Sequence, residues 1–332
     1  MSRRAVVRSV GTYLPERCVS NDQLAEIVDT SDAWIRERTG ITQRYFASGD
    51  ELTSDLGAAA ASEALTRAGI DAGTIDMIIV ATSTPDNTFP ATATAIQQKI
   101  DAHNCLAFDI QAVCAGFPYA LATADNFIKA GQVQRALVIG AETFSRILDF
   151  SDRNTCVLFG DGAGAFLIEA DDAADQVERP NGSGILSTYL RADGRHYDQL
   201  FVDGGPSRPS ANGSGKVGHL RMNGREVFRH AVTNLSQAAT KVLADRGFGA
   251  DDLTWLIPHQ ANQRIIDGVG KKLGVGDDRV ISTVALHANT SAASIPLAFG
   301  AAIDQEKLRK GDLIVANAIG GGFAWGAVLL RW

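Results

Sequence analysis

Short apolar runs alternate with longer amphipathic stretches along most of the 332 residues. IDMIIVATS (75–83), RALVIGAE (135–142), LTWLIPHQ (253–260) and DLIVANA (312–318) are apolar at odd and even positions alike. A strand with that pattern is covered on both faces, as in a sheet between helical layers. Between the runs lie helical patterns. Ser54 to Ala68 is rich in Ala, Leu and Glu, and Asn223 to Arg246 spaces Val227, Ala231, Leu235, Ala238 and Val242 along one helix face. This alternation predicts an α/β fold.

The pattern also repeats. FDIQAVC (108–114) reads as a strand running into an Ala-rich helix with Pro118, and TVALHAN (283–289) as one running into a helix with Pro296. IIVATS (78–83) against LIPHQA (256–261), and LVIGAE (137–142) against LIVANA (313–318), recur at a similar interval. Two similar halves are implied, 1–173 and 174–332, joined by a surface link near 172–182. Chance likeness among apolar strands is the alternative. Residues 194–218 are dominated by Gly, Ser, Pro, Asp and Asn, which predicts a long exposed loop. Its NGSGK is no phosphate loop, because Val217 follows the Lys where Ser or Thr is required.

Composition narrows the function. Hydrophobic residues at 45% and charged residues at 21% allow a sizeable core rather than disorder. A net charge of −7 argues against general nucleic-acid binding, while leaving room for a local basic patch. The N-terminus lacks the apolar core of a signal peptide, and no run approaches the roughly 20 apolar residues of a membrane span. A cytoplasmic protein without membrane or nucleic-acid partners is expected. Cys18, Cys105, Cys114 and Cys156 show no CxxC spacing and read as free thiols. The six histidines show no HExxH spacing, so no metal is expected.

Three polar residues stand out. Cys114 sits where a strand meets a helix, and Pro118 keeps the helix N-terminus close to it. Orphan N–H groups and the positive dipole end there favour thiolate over thiol, and the corner should expose the side chain to a site. The alternative for Cys114 is a buried core cysteine, the reading taken for Cys18, Cys105 and Cys156. His259 follows a buried strand and precedes a helix; it is either catalytic or a hydrogen-bonded structural residue. Asn289 holds in the second half the place of Cys114 in the first, and reads alternatively as a helix cap. In a doubled fold the three converge. The glycine run of AIGGGFAWGA (318–327) suits close backbone approach, or a tight turn between the last strands. FGDGAGA (159–165) reads as a packed turn.

GTYLPERCVSN, DAWIRERTGI, VCAGFPYAL, FGDGAGA, PHQAN, NTSAASIP and GGGFAWG, spread over nearly the whole chain, resemble the condensing enzymes with the fold of thiolases. They most resemble β-ketoacyl-acyl carrier protein synthase III. That resemblance implies a five-layer αβαβα sandwich and an acyltransferase that initiates fatty acid synthesis. Cys114 would take a short acyl group, acetyl above all, from acyl-CoA. The N–H groups of Cys114 and Gly321 would form the oxyanion hole, and His259 and Asn289 would stabilise the enolate from malonyl-acyl carrier protein. A specialised relative that primes a polyketide is the alternative. The family pattern also assigns Trp34, Arg38, Arg153 and Asn262 to CoA, and Arg229, Arg264, Lys271 and Lys272 to carrier-protein docking. Without the family, Trp34 is an amphipathic-helix residue and the basic stripe a solvated face. Phe89 would close the acyl pocket across a homodimer interface, or merely pack that interface. No metal or redox cofactor is implied. Two features depart from the pattern: Ile319, where many relatives carry an aromatic residue, and the length of the 205–217 loop.

Overall fold

The computed structural model describes residues 3–171, 182–208 and 217–332. Nine strands build two sheets. The first holds β1 (Arg4–Tyr13), β2 (Met77–Ala81), β3 (Leu106–Ile110), β4 (Arg135–Glu142) and β5 (Gly162–Asp171), in the order β1-β5-β4-β2-β3. The second holds β6 (Gly184–His196), β7 (Trp255–Pro258), β8 (Leu313–Gly320) and β9 (Gly322–Arg331), in the order β6-β9-β8-β7. In each, the pair β2/β4 or β7/β8 is parallel and the remaining pairs toward β1 or β6 are antiparallel. The repeat seen in the sequence is therefore a repeat of topology. A join at 173/174 lies outside the described residues, with one sheet on either side of it.

Helices complete the layers. α1 (Thr53–Ala68) covers the outer face of the first sheet, and α3 (Gly224–Ala244), with α4 (Gln263–Leu273) beside it, covers the second. Between the sheets run α2 (Gly116–Lys129) and α5 (Ser294–Asp304). This is the five-layer sandwich. Its central layer is packed with aromatic rings: Phe166 of β5 meets Phe117 of α2 and Phe299 of α5 edge to face, with 5.0 Å between ring centroids in both pairs. All three are buried, and full burial of such a side chain contributes about 1.5–3 kcal/mol. No helix among the described residues is long and apolar enough to cross a membrane.

Three expectations change. TVALHAN is not a strand; Val284–His287 forms one helical turn. The parallel ladder ends at Ile281, whose N–H reaches the Leu256 carbonyl at 2.9 Å. The Gln260 side-chain oxygen then accepts from the N–H groups of Thr283 (2.7 Å) and Val284 (3.2 Å) and turns the chain. The 194–218 segment is also more regular than its composition suggests. β6 runs on to His196, and Leu200–Val202 pairs with Leu220–Met222; residues 209–216 lie outside the described residues. Finally, FGDGAGA is not only a turn, because Gly162 onwards is β5.

The glycines of β5 exist for the central layer. A Cβ on Gly164 would stand 2.7 Å from Cβ of Pro296, at the start of α5. Gly164→Ala should therefore lower the stability measured by urea unfolding by about 1–3 kcal/mol. Gly49→Ala, where nothing lies within 4 Å, should leave it unchanged. Equal stability of the two variants would contradict this packing.

Candidate active site

Cys114 lies in a single 3₁₀ turn, Val113–Ala115, that leads directly into α2. Val113 holds φ +50°, a left-handed backbone uncommon for a β-branched residue, and this bend sets the direction of the next side chain. The end of β8 rests on the turn. A Cβ on Gly320 would stand 2.7 Å from both the Cys114 nitrogen and the Ala112 oxygen, so only glycine fits. Gly321 follows as the turn into β9, so the glycine run serves both of its expected purposes.

The helix mouth is as expected, but its electrostatic consequence is not. Cys114 is only 4% exposed rather than open to solvent. Burial pushes its thiol up to about 12, with the nearby Glu142 adding to the rise and the Ser291 hydroxyl opposing it. The resting group is a thiol. Of the other cysteines, Cys156 is buried as expected, Cys105 is half-buried and Cys18 is exposed; all four are free.

The segment from Asn289 to Ser294 connects the remaining parts. The Asn289 N–H donates to the Leu158 carbonyl at 2.9 Å, and its carbonyl accepts from Gly160 at 3.0 Å. Its Oδ1 accepts from the Ser291 N–H at 2.9 Å, which leaves the Nδ2 amide to donate. Asn289 is not the N-cap of the next turn, which is Thr290; its side chain instead closes a local bond to the Ser291 N–H. Ser291, at φ +49°, places its hydroxyl beside the Cys114 sulfur. Ser294 places its hydroxyl 2.6 Å from Nδ1 of His259 and also accepts from the Gln260 N–H at 3.3 Å. That hydroxyl has a proton to give to Nδ1, an arrangement in which the imidazole proton lies on Nε2. Burial pushes His259 down to about 3, so the ring is neutral. One short segment therefore contacts the cysteine, carries the asparagine and orients the histidine.

A second group of residues lies along the helix Asp32–Thr39. Trp34 is flanked by the guanidinium groups of Arg38, 4.5 Å from its ring centroid, and Arg153, at 5.2 Å. Arg153 also donates to the Asp29 carbonyl at 2.9 Å. Asn262 caps α4, accepting from the Arg264 N–H at 2.8 Å, and donates to the Arg38 carbonyl at 3.3 Å. Arg264 reaches the Glu37 carbonyl at 2.9 Å. Lys271 and Lys272 continue along α4, exposed. Arg229, on α3, is paired with Glu226 at 2.5 Å and carries less free charge than the others. Phe89 stands apart, 82% exposed, and closes no pocket of its own chain.

Three site residues escaped the sequence reading. Ser291 and Ser294 lie within NTSAAS, where only the asparagine was given a role. Glu142, the final residue of LVIGAE, is 0% exposed with a carboxyl pushed up to about 7, mainly by burial. An acid closing an otherwise apolar strand was the available signal.

Known proteins resemble this chain in sequence and in fold. Models of 3-oxoacyl-[acyl-carrier-protein] synthase III match residues 108–194, and of its C-terminal part residues 243–332. A β-ketoacyl-[acyl-carrier-protein] synthase III of Rhodospirillum rubrum is 59% identical, over 99% of both chains. The chain belongs to this synthase III family. The corresponding synthase III of Pseudomonas aeruginosa, a solved structure, superposes with a TM-score of 0.91 at 42% identity, covering 99% of this chain and 98% of that one. The priming β-ketosynthase of a polyketide pathway gives 0.92 at 33% identity, covering 99% and 97%. As a member of the family the chain is a condensing acyltransferase.

Acyl-CoA should therefore label one thiol. Peptide mass mapping is expected to find the acyl group on Cys114 and to find none in Cys114→Ala. Acylation of Cys18, Cys105 or Cys156 in its place would remove Cys114 from the centre of the site.

Proposed function

We propose that the chain condenses a short-chain acyl-CoA, acetyl-CoA above all, with malonyl-acyl carrier protein, and so starts fatty acid synthesis. The observation that supports this most is the single segment joining Cys114, His259 and Asn289. Cys114 attacks the acyl thioester, and the acyl-enzyme divides one hard condensation into two easier steps. The N–H groups of Cys114 and Gly321 receive the oxyanion. Malonyl-acyl carrier protein then loses carbon dioxide, and the resulting enolate oxygen accepts from Nε2 of His259 and Nδ2 of Asn289. Both donors are neutral before the reaction and held by Ser294 and Ser291, so they favour charge that develops only in the transition state. The carbanion attacks the acyl carbon and releases the β-ketoacyl product. The chemistry is carried by thioesters and calls on no metal or redox cofactor.

Trp34 and Arg153 take the adenine of CoA between them, with Arg38 turned to phosphate and Asn262 to the pantetheine arm. Two guanidinium groups already lie over the Trp34 ring, so the nucleotide replaces one cation–π partner with a stacked base. Arg264, Lys271 and Lys272 on α4, with Arg229 on the neighbouring α3, suit an acidic carrier protein despite the net charge of −7. A homodimer is supported by β3, an edge strand whose Leu106 is 46% exposed, and by the bare ring of Phe89. Phe89 then reaches the partner's acyl pocket and favours short primers, or it packs the interface alone.

Labelled acetyl-CoA and malonyl-acyl carrier protein should give acetoacetyl-acyl carrier protein by mass. His259→Ala and Asn289→Ala should each cut decarboxylation by about 10²–10³ while sparing acylation of Cys114 more. Normal decarboxylation in both variants would overturn their role, and a different acyl product would turn the assignment toward polyketide priming.

A further inference from the structure

Cys114 must lose a proton that nothing above accepts. Its thiol is buried and pushed up to about 12, and His259 is a donor in the role given to it. Behind the sulfur lies a buried carboxyl that the condensation, as described, leaves idle. Glu142 ends β4 at 0% exposure. From the first half, Thr84 donates to it at 2.6 Å, Thr82 at 3.3 Å and the Ser83 N–H at 3.1 and 3.2 Å. From the second half it meets the Ser291 hydroxyl and the Ala292 N–H. The titratable group that faces it is Cys114 itself.

Ser291 stands between the two. It is 0% exposed, and its hydroxyl lies close enough to influence both the thiol and the carboxyl. Yet the hydroxyl has no closed hydrogen bond to a described residue, so it remains free to rotate from one to the other. The contact is tightly built. A Cβ on Gly140, two residues before Glu142, would collide with the Ala292 carbonyl.

We propose that Ser291 and Glu142 form the path by which the Cys114 proton leaves, Ser291 touching the sulfur and Glu142 holding the proton. The inference rests on the acyl-transfer reading above. As the sulfur attacks the acyl-CoA carbonyl, its proton passes to the Ser291 oxygen, and the Ser291 proton passes to the Glu142 carboxylate. The bond from the acyl carbon to the CoA sulfur breaks, and the departing thiolate takes a proton from water. When the malonyl-derived carbanion attacks the acyl carbon, the bond to the Cys114 sulfur breaks. The cysteine thiolate then regains its proton from Glu142 through Ser291. Carbon dioxide leaves as the neutral molecule, so one solvent proton is consumed per turnover. Every charge is accounted for.

Glu142 accepts a proton only as carboxylate, which it is above about 7 and not below. Single-turnover acylation by acetyl-CoA should therefore rise through about pH 7 and level off. Glu142→Gln keeps the shape of the side chain but removes the acceptor. It should slow acylation by about 10²-fold and erase that rise, and Glu142→Asp should restore the rise in part. Ser291→Ala, the smallest change available, should slow acylation similarly. Malonyl-acyl carrier protein decarboxylation, which moves no cysteine proton, should fall at least about tenfold less than acylation in both. That is the reverse of the His259 and Asn289 pattern. Equal losses of acylation and decarboxylation would make the pair merely structural and overturn the path. Wild-type acylation and pH profile in both variants would overturn it as well. If Glu142→Gln does not fold, Ser291→Ala decides alone. A wild-type protein that accepts no acyl group would sink the acyl-transfer reading with it, whereas normal wild-type acylation isolates failure to the relay.

Discussion

Everything at the site depends on how closely the second half presses into the first at residues 291–293. Gly140 of β4 leaves no room for a Cβ against the Ala292 carbonyl, and a Cβ on Gly116 would already stand 3.5 Å from that of Ala292. At the same depth, Gly320 lets the end of β8 touch the turn that holds Cys114. Such approaches exclude water and fix backbone to backbone, where no side-chain rotation can loosen them. Cys114 from one half thus meets the Ser291 hydroxyl from the other, on the same short segment that carries Asn289 and, at Ser294, orients His259. A fold built of two copies produces one asymmetric site, because each copy brings different residues to the shared centre.

The same burial sets the protonation states. Desolvation raises a thiol and a carboxyl and lowers an imidazole, and all three shifts occur here, for Cys114, Glu142 and His259. Cys114 and His259 are therefore uncharged at rest, while Glu142 is poised near neutrality to take a proton. Charge appears as the reaction creates it, on the sulfur and then on the enolate oxygen, facing donors already in place. Preorganised dipoles in a dry site act more strongly than the same groups in water. The helix mouth at Cys114 still matters in this scheme, but it serves the attacking sulfur and the oxyanion rather than a standing thiolate.

Much of this was legible in the sequence. Buried strands announce themselves as unbroken apolar runs, and β4 spans the residues that RALVIGAE predicts. The doubled order of strands was visible because both sheets need the same apolar faces. His259 stood out because it directly follows a buried strand, and Cys114 because it lies between a strand and a helix, whereas Asn289 stood out through a strand reading that the fold replaces with a helical turn. The family pattern then supplied roles that spacing alone could not. Burial could not be read in the same way. Whether Cys114 is open or 4% exposed depends on packing by Ser291 and Gly320, far along the chain, and so does its protonation. TVALHAN has the composition of a strand, and only the Gln260 side chain, placed by tertiary structure, turns it into a helix. Ser291 and Glu142 are distant in sequence and ordinary in type; only the close approach of the halves makes them neighbours of a sulfur.

The central claim is that burial holds the nucleophile as a thiol at rest. Thiolate absorbance near 240 nm, titrated for the wild type and for Cys114→Ala and taken as a difference, reads that group directly. The account predicts no step attributable to Cys114 at neutral pH, with the thiolate forming only in strongly alkaline solution, toward about 12. A Cys114-dependent step at or below neutral pH would mean that the helix mouth outweighs burial and that no proton acceptor is needed.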